Sequence, residues 1–136
     1  MVVALALPHD RPPVTPCRIY ICDDSPEYRL LLRMVLADEG AVIVGEGADG
    51  QECLDGAAAT EPSLVLLDLN MPNLSGLEAL PRLREALPDT KIVVLTTSKA
   101  AESEAAAMAA GADAYVSKPI DATSVPRLLR EGLAAA

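Results

Sequence analysis

Short apolar runs alternate with turns and with longer stretches of helical periodicity, five times after residue 16. The runs are rich in Ile, Val and Leu and nearly continuous, which is typical of strands that are covered on both faces. We place these strands at 18–22, 41–45, 64–69, 91–96 and 114–117. Because strands and helices alternate, the sequence predicts a parallel sheet with helices on both faces.

The first helical stretch has a well-marked start. Ser25 can cap a helix N-terminus, and Pro26 suits the first helical turn. Apolar residues then recur at the spacing of one helix face. This pattern predicts an inward stripe made of Tyr28, Leu31, Leu32, Val35 and Leu36.

The opposite flank of this helix also carries apolar residues. Leu30 and Met34 fall on the outer side, beside Arg29 and Arg33. The arrangement predicts an exposed apolar patch bordered by positive charge. Two interpretations stay open, because apolar residues scattered over a surface are common and a protein-binding patch would have the same pattern.

The remaining helices are predicted at 49–59, 75–87, 99–110 and 123–135. The fourth differs from the others because its inward positions are mostly Ala. Alanine favours the helix but offers little apolar area, so we expect this helix to dock loosely on the sheet. Close packing of small residues is the alternative.

Composition and charge narrow the class of protein. A chain of 136 residues suits one domain, and a net charge of −9 without a basic stripe argues against binding to nucleic acid or to an anionic membrane. Cys17, Cys22 and Cys53 are odd in number and lack metal-site spacing. We therefore expect reduced thiols in a cytoplasmic protein.

The chain begins with a segment unlike the rest. Residues 1–16 contain four prolines and an apolar run far shorter than the roughly 20 residues of a membrane span. We interpret 1–16 as a flexible leader and 17–136 as the folded domain.

Polar side chains gather where the predicted strands end. In an open parallel sheet the ligand crevice lies beyond the carboxyl ends of the strands. The residues that the sequence delivers to this edge are Asp23, Asp24, Asp68, Thr96, Thr97 and Lys118.

Three carboxylates at one edge repel each other, by up to about 4 kcal/mol per pair at 4 Å with an effective dielectric near 20. A hard cation such as Mg²⁺ would offset this repulsion, and an acidic rim paired only with Lys118 is the alternative. A cation beside a hydroxyl and an ammonium suits a phosphoryl group. Asp68 could then be the nucleophile. A carboxylate is already ionised at neutral pH, so it needs no general base.

This ordered set of residues resembles the receiver domain of bacterial two-component response regulators, over about 18–133. Each motif is weak alone, but their order and spacing together are specific. The residues that carry the resemblance are Asp23-Asp24, Asp68, Met71-Pro72, Gly76, Thr96, Tyr115 and Lys118-Pro119.

The resemblance implies a fold and a phosphorylation site. The fold would be a flavodoxin-like (βα)5 α/β domain with strand order 2-1-3-4-5. Asp68 would accept a phosphoryl group from the phosphohistidine of a sensor histidine kinase or a histidine phosphotransfer protein. Asp23, Asp24 and Asp68 would hold Mg²⁺, together with the backbone carbonyl of Asn70.

The resemblance also implies a switch. Lys118 would bind a phosphoryl oxygen, and Thr96 would turn its hydroxyl onto another. Tyr115 would then move inward, changing the surface of helix 4, strand 5 and helix 5. A cis peptide bond before Pro119 is common in the family and would aim Lys118 across the crevice.

The expected function is therefore that of a signalling domain in a phosphorelay, not of an enzyme beyond self-catalysed phosphorylation and dephosphorylation. Since no output module follows in this sequence, we expect a single-domain regulator that signals to a protein partner, without direct contact to nucleic acid or membrane.

Three other interpretations stay open. The chain could be the receiver fragment of a longer DNA-binding response regulator. A Mg²⁺-dependent phosphohydrolase with an Asp nucleophile would use similar groups, but such enzymes generally place an acid/base Asp two residues after the nucleophile, where this chain has Asn70. A pseudo-receiver that binds partners without phosphorylation usually lacks part of the acidic cluster or the Lys, and this chain has both.

Overall fold

The computed structural model describes residues 17–97 and 100–135, the last without its side chain. The predicted leader 1–16 and the predicted first residue of the fourth helix, Lys99, lie outside the described residues. The division into a leader and a domain therefore stays a prediction.

Five parallel strands form one sheet in the order β2-β1-β3-β4-β5, which confirms the predicted fold class and order. The strand bounds agree with the sequence pattern for the first, fourth and fifth strands. The second is shifted by one to two residues, and the third ends before Asp68. The strands are β1 Arg18–Cys22, β2 Val42–Gly47, β3 Leu64–Leu67, β4 Lys91–Thr96 and β5 Ala114–Ser117.

A helix follows each strand, and a single 3-10 turn, Ala122–Ser124, precedes the last. None of the helices described within 17–97 and 100–135 combines the length and apolar character needed to cross a membrane. The helices are α1 Pro26–Asp38, α2 Gly50–Thr60, α3 Gly76–Ala86, α4 Ala101–Ala110 and α5 Val125–Ala135.

Side-chain caps fix where the first three helices begin. The Ser25 hydroxyl accepts the Tyr28 N–H, as the sequence predicts for α1. Asp49 caps α2 in the same way, and Ser75 forms a reciprocal capping box with Glu78 at the start of α3. Each cap satisfies backbone donors that the first helical turn leaves without a partner. Hydrogen bonds of the cap residues thus determine where each of these three helices begins.

The two faces of the sheet bury two separate cores. Along β1, Ile19 and Ile21 face the core beneath α1 and α5, while Cys22 faces the core beneath α2 and α3. Cys17 belongs to the first core and Cys53 to the second. All three thiols are buried and none forms a disulfide, in agreement with the expectation of reduced cysteines.

The inward stripe of α1 is narrower than predicted. Leu32 and Leu36 are fully buried, but Leu31 is 44% exposed, so its assignment to the stripe is wrong. Consecutive helical residues point about 100° apart, and packing centred on Leu32 turns Leu31 toward the flank. Leu30 and Met34 are exposed, as predicted.

The predicted border of positive charge is reduced, because both of its arginines pair with one carboxylate. The guanidinium of Arg29 lies 3.0 Å from one carboxylate oxygen of Glu46, and that of Arg33 lies 2.5 Å from the other. Glu46 comes from β2, so only the tertiary fold brings it to α1. Arg29 also donates to the backbone oxygen of Asp23 at 2.6 Å, which ties α1 to the end of β1.

Helix α4 is held unequally at its two ends. At the N-terminus, Ala100 supplies no side-chain cap, and only Ala107 of the helix is buried. At the C-terminus, Arg84 donates to the Gly111 oxygen at 2.9 Å and pairs with Asp113 at 2.7 Å. The anchored C-terminus and the weakly buried body support the expectation of loose docking.

We expect the amide hydrogens of α4 to exchange faster than those of α1. Helix α1 buries two leucines completely and has a side-chain cap, whereas α4 has neither, so α4 should open at lower free energy. Hydrogen exchange followed by mass spectrometry or NMR measures this difference. Protection in α4 equal to that in α1 would contradict loose docking and favour close packing of small residues.

Candidate functional site

The carboxyl ends of β1 and β3 bring three carboxylates together. Asp23 and Asp24 follow β1 directly, and Asp68 follows β3. One oxygen from each lies within 4.8 Å of the others. Asp23 and Asp68 are buried, while Asp24 is exposed. The structure thus brings the predicted acidic cluster together at the predicted edge.

Asp23 is held from two sides. One carboxylate oxygen accepts the Ser25 N–H at 2.9 Å, and the other lies 2.6 Å from the Lys118 ammonium. Burial raises the pKa of Asp23 above its ordinary value, the bonds from Lys118 and Ser25 lower it, and the charge of Asp68 raises it. The net direction is upward. The fold therefore holds this carboxylate at a cost that its hydrogen bonds only partly offset.

Asp68 has both carboxylate oxygens engaged. One accepts the Thr96 hydroxyl at 2.9 Å and the Asn70 N–H at 3.1 Å, and the other lies 3.3 Å from the Lys118 ammonium. The Thr96 side chain is fully buried, and the side-chain amide of Asn70 donates to the Thr96 hydroxyl at 3.4 Å. These contacts fix the orientation of the Asp68 carboxylate.

The turn after Asp68 lets α3 approach the site closely. The Gly76 N–H donates to the Leu69 oxygen at 3.0 Å. A Cβ added at Gly76 would collide with the backbone oxygen of Asp68, so the close approach depends on glycine. The Asn70 carbonyl follows directly from this turn, and its role as a metal ligand stays a prediction.

Lys118 links the two buried carboxylates. Burial lowers the pKa of its ammonium, but the hydrogen bond to Asp23 and the charges of Asp68 and Asp23 outweigh burial and raise it. The Lys118–Pro119 peptide bond is trans, so the expectation of a cis bond is wrong. The ammonium reaches both carboxylates without it, and trans is the less costly isomer.

Thr96 and Tyr115 lie on neighbouring strands. The register pairs Val94 with Tyr115 and Thr96 with Ser117. Val94 and Thr96 are two residues apart in β4, so their side chains share one face of the sheet. Tyr115 is in register with Val94 and points to that face as well. Tyr115 is half-buried there against the core beneath α2 and α3. Their role as a switch stays a prediction.

Tyr28 is a site residue that the sequence pattern assigned only to the core. Its ring centroid lies 4.4 Å from the Lys118 ammonium, and its hydroxyl donates to the Pro119 oxygen at 3.0 Å. A signal existed in the sequence, because Tyr28 is one of only three tyrosines and lies four positions after Asp24. Its polar tip distinguishes it from the other members of the stripe.

The donor set suits a hard divalent cation. Three carboxylates offer oxygen ligands, and the exposed Asp24 keeps one side of the cluster open. Mg²⁺ prefers oxygen ligands, commonly one or two carboxylates, and retains waters. The residues present therefore fit Mg²⁺, and a cation there would also offset the charge of Asp23.

We expect metal-free Asp23→Asn to unfold a few degrees above wild type at pH 7. The raised pKa means that the native state holds the Asp23 proton more tightly than the unfolded chain, so ionisation costs stability as the pH rises through that pKa. The difference should therefore shrink as the pH falls toward and below the ordinary value of 3.8, where wild-type Asp23 is itself neutral.

Thermal unfolding in a chelator, followed by circular dichroism from pH 3 to pH 8, measures this difference. Asp24→Asn is the matched control, because it removes a neighbouring carboxylate that is exposed and should change the midpoint less. A lower midpoint for Asp23→Asn than for wild type at pH 7 would show that the bond to Lys118 outweighs the cost of burial.

The family model described as the response regulator receiver domain matches residues 19–130. Among curated relatives, the nitrate/nitrite response regulator protein NarP of Escherichia coli (strain K12) is 38% identical over 122 residues. The match covers 89% of this chain and 57% of NarP. This chain spans about half the length of the curated relatives it matches. The matched share of the relative's own length is 30% to 57% in three of them.

Solved structures agree with the sequence comparison. A CheY-like response regulator receiver domain protein from Methanospirillum hungatei JF-1 superposes with a TM-score of 0.79 at 26% identity, over 89% of this chain and 96% of that one. A response regulator protein from Burkholderia pseudomallei, solved with a phosphorylated aspartic acid, calcium ion and citrate, gives 0.78 at 26% identity, over 88% and 69%. The chain belongs to the receiver domains of two-component response regulators.

Proposed function

We propose that Asp68 accepts a phosphoryl group from a phosphohistidine, carried by a sensor histidine kinase or a histidine phosphotransfer protein. The observation that carries this proposal is the arrangement around its carboxylate, which takes a buried hydroxyl on one oxygen and an ammonium on the other. Two further carboxylates lie beside it. In the Burkholderia pseudomallei relative, an aspartic acid is phosphorylated.

In the proposed transfer, a carboxylate oxygen of Asp68 attacks phosphorus. A P–O bond forms, and the P–N bond to the donor histidine breaks with its electron pair on the imidazole nitrogen. The imidazole leaves as a neutral group because its other ring nitrogen carries a proton, and the ionised Asp68 carboxylate needs no general base. The hydrogen bonds from Thr96 and Asn70 hold the carboxylate ready for the attack, which reduces the entropy cost of reaching the transition state.

Asp23, Asp24 and Asp68 would hold Mg²⁺, with the Asn70 carbonyl as a further protein ligand. Bound there, Mg²⁺ supplies positive charge against the phosphoryl oxygens. The Lys118 ammonium lies 2.6 Å from an Asp23 oxygen, so a cation held by this cluster would compete with Lys118 for Asp23. Lys118 would then bind a phosphoryl oxygen while staying near Asp68.

Thr96 and Tyr115 would convert phosphorylation into a change of surface. The Thr96 hydroxyl donates to the same carboxylate that accepts the phosphoryl group, so its acceptor changes on modification. Tyr115 points to the same face and moves into the space that Thr96 vacates. The weakly buried α4 contacts β5, which carries Tyr115, and would adapt at little cost. The surface of α4, β5 and α5 then signals to a protein partner.

A second candidate is that this receiver controls an output segment of a longer regulator, including one that binds DNA. The observation that favours it is the coverage of the curated relatives, 57% in NarP. In either case the receiver works through protein contacts, because its net charge of −9 opposes direct contact with phosphate backbones. Both candidates place it in the cytoplasm, where buried thiols stay reduced.

Incubation with acetyl phosphate and Mg²⁺ should add one phosphoryl group to wild type and none to Asp68→Asn. Intact-mass spectrometry detects the adduct, and peptide mapping after borohydride reduction locates it. Asp55→Asn, which removes an exposed carboxylate of α2, is the control and should take up the group as wild type does. Equal uptake by Asp68→Asn would sink the assignment of Asp68, and no uptake by wild type would sink the proposed chemistry.

A further inference from the structure

Tyr28 joins α1 to the segment that carries Lys118. Its ring centroid lies 4.4 Å from the Lys118 ammonium, within the range of a cation–π contact. Its hydroxyl donates to the Pro119 oxygen at 3.0 Å, across 91 positions of sequence. One side chain thus contacts both the head group of Lys118 and the backbone that follows it.

The ring is an uncharged partner of an ammonium whose other described partners are carboxylates. The Lys118 side chain is 11% exposed and pairs with Asp23 and Asp68. In the proposed function both carboxylates change state, because Asp23 would share its oxygen with a cation and Asp68 would carry the phosphoryl group. The ring face undergoes no such change, so its attraction for the ammonium persists through the reaction.

The hydroxyl contact is equally persistent. Burial, with the charges of Asp23, Asp121 and Asp68, raises the pKa of Tyr28 to about 12. The phenol therefore stays protonated at working pH and keeps its hydrogen for the Pro119 oxygen. Fixing this carbonyl restricts the backbone from which the Lys118 side chain extends.

We propose that Tyr28 is a positioning residue for phosphoryl transfer, holding the Lys118 ammonium over its ring while that ammonium passes from Asp23 to a phosphoryl oxygen. A lysine head group otherwise samples many rotamers, and restricting them beforehand reduces the entropy cost of its hydrogen bond in the transition state. This inference rests on the proposed function, since it assigns Tyr28 a part in the same site.

A double-mutant cycle tests the proposal through the rate of phosphorylation by acetyl phosphate and Mg²⁺. Tyr28→Leu should slow wild type roughly five- to tenfold, because a Lys118 head group released from the ring must be ordered when the transition state forms. Tyr28→Phe keeps the ring and should stay within about twofold of wild type. In a Lys118→Ala background, Tyr28→Leu should add less than about a twofold loss, since the group it positions is gone.

Two outcomes would overturn the proposal. An equal loss of phosphorylation rate from Tyr28→Leu in both backgrounds would mean that Tyr28 acts through general stability. A phosphorylation rate of Tyr28→Phe as low as that of Tyr28→Leu would mean that the ring does not position Lys118. Tyr20→Leu is the matched control, because Tyr20 is a buried tyrosine in the core beneath α2 and α3. It should lower the unfolding midpoint without changing the rate.

NMR separates failure of this inference from failure of the proposed function. The ring current of Tyr28 should shift the ε-methylene protons of Lys118 upfield in unphosphorylated wild type and Tyr28→Phe, and the shift should vanish in Tyr28→Leu. Unshifted protons in wild type would overturn the contact whatever the phosphorylation result. If wild type shows the shift but takes up no phosphoryl group, the proposed function and the role of Tyr28 in it both fall.

Discussion

The negative charge at the carboxyl edge of the sheet governs how this site is built. Parallel strands point their carboxyl ends the same way, so residues that follow β1 and β3 necessarily meet there. Their carboxylates approach within 4.8 Å, and burial of Asp23 makes their charge costly. Lys118 reaches in from the end of β5 and lies against both buried members. A cation is the further counter-charge that these oxygens suit.

The acidic cluster is connected to the α4 side of the sheet through Thr96. Asp68 accepts a hydrogen bond from the Thr96 hydroxyl, and Thr96 shares a face of the sheet with Tyr115. Beyond them lies α4, anchored through Arg84 at its C-terminal end, with Ala100 at its N-cap position making no side-chain hydrogen bond. In the proposed function, a change of charge at Asp68 would pass through Thr96 and Tyr115 to this helix, in which Ala107 is the one buried residue. Rigid caps on α1, α2 and α3 keep the rest of the site in place.

Local rules were sufficient for the elements and for most of the site. Alternation of apolar runs with helical periodicity predicted the layers, and the residues that follow each strand predicted the acidic cluster. The cap at Ser25 followed from residue type alone. The strand order came from the family resemblance and is confirmed by the structure. The width of the buried stripe on α1 could not be predicted from periodicity. The rotation of α1 about its axis, set by packing on the sheet, decides whether Leu31 is buried.

Contacts between distant segments could not be read from the sequence. Glu46 pairs with both Arg29 and Arg33 from β2, and no local pattern indicates that pairing. Tyr28 was assigned to the core because its spacing fits the stripe, whereas its partners are 90 and 91 positions away along the chain. The isomer before Pro119 also depends on its surroundings, because proline makes both forms accessible at modest cost.

Calorimetric titration of Mg²⁺ into wild type and Lys118→Ala tests most directly whether unbalanced carboxylate charge governs the site. Lys118 and the metal would share oxygens of Asp23 and Asp68, so removing the ammonium leaves more negative charge for the cation. Lys118→Ala should bind Mg²⁺ more tightly than wild type, while the exposed Lys91→Ala control should bind it equally. Binding by Lys118→Ala that is equal to or weaker than that of wild type would contradict this view of the site.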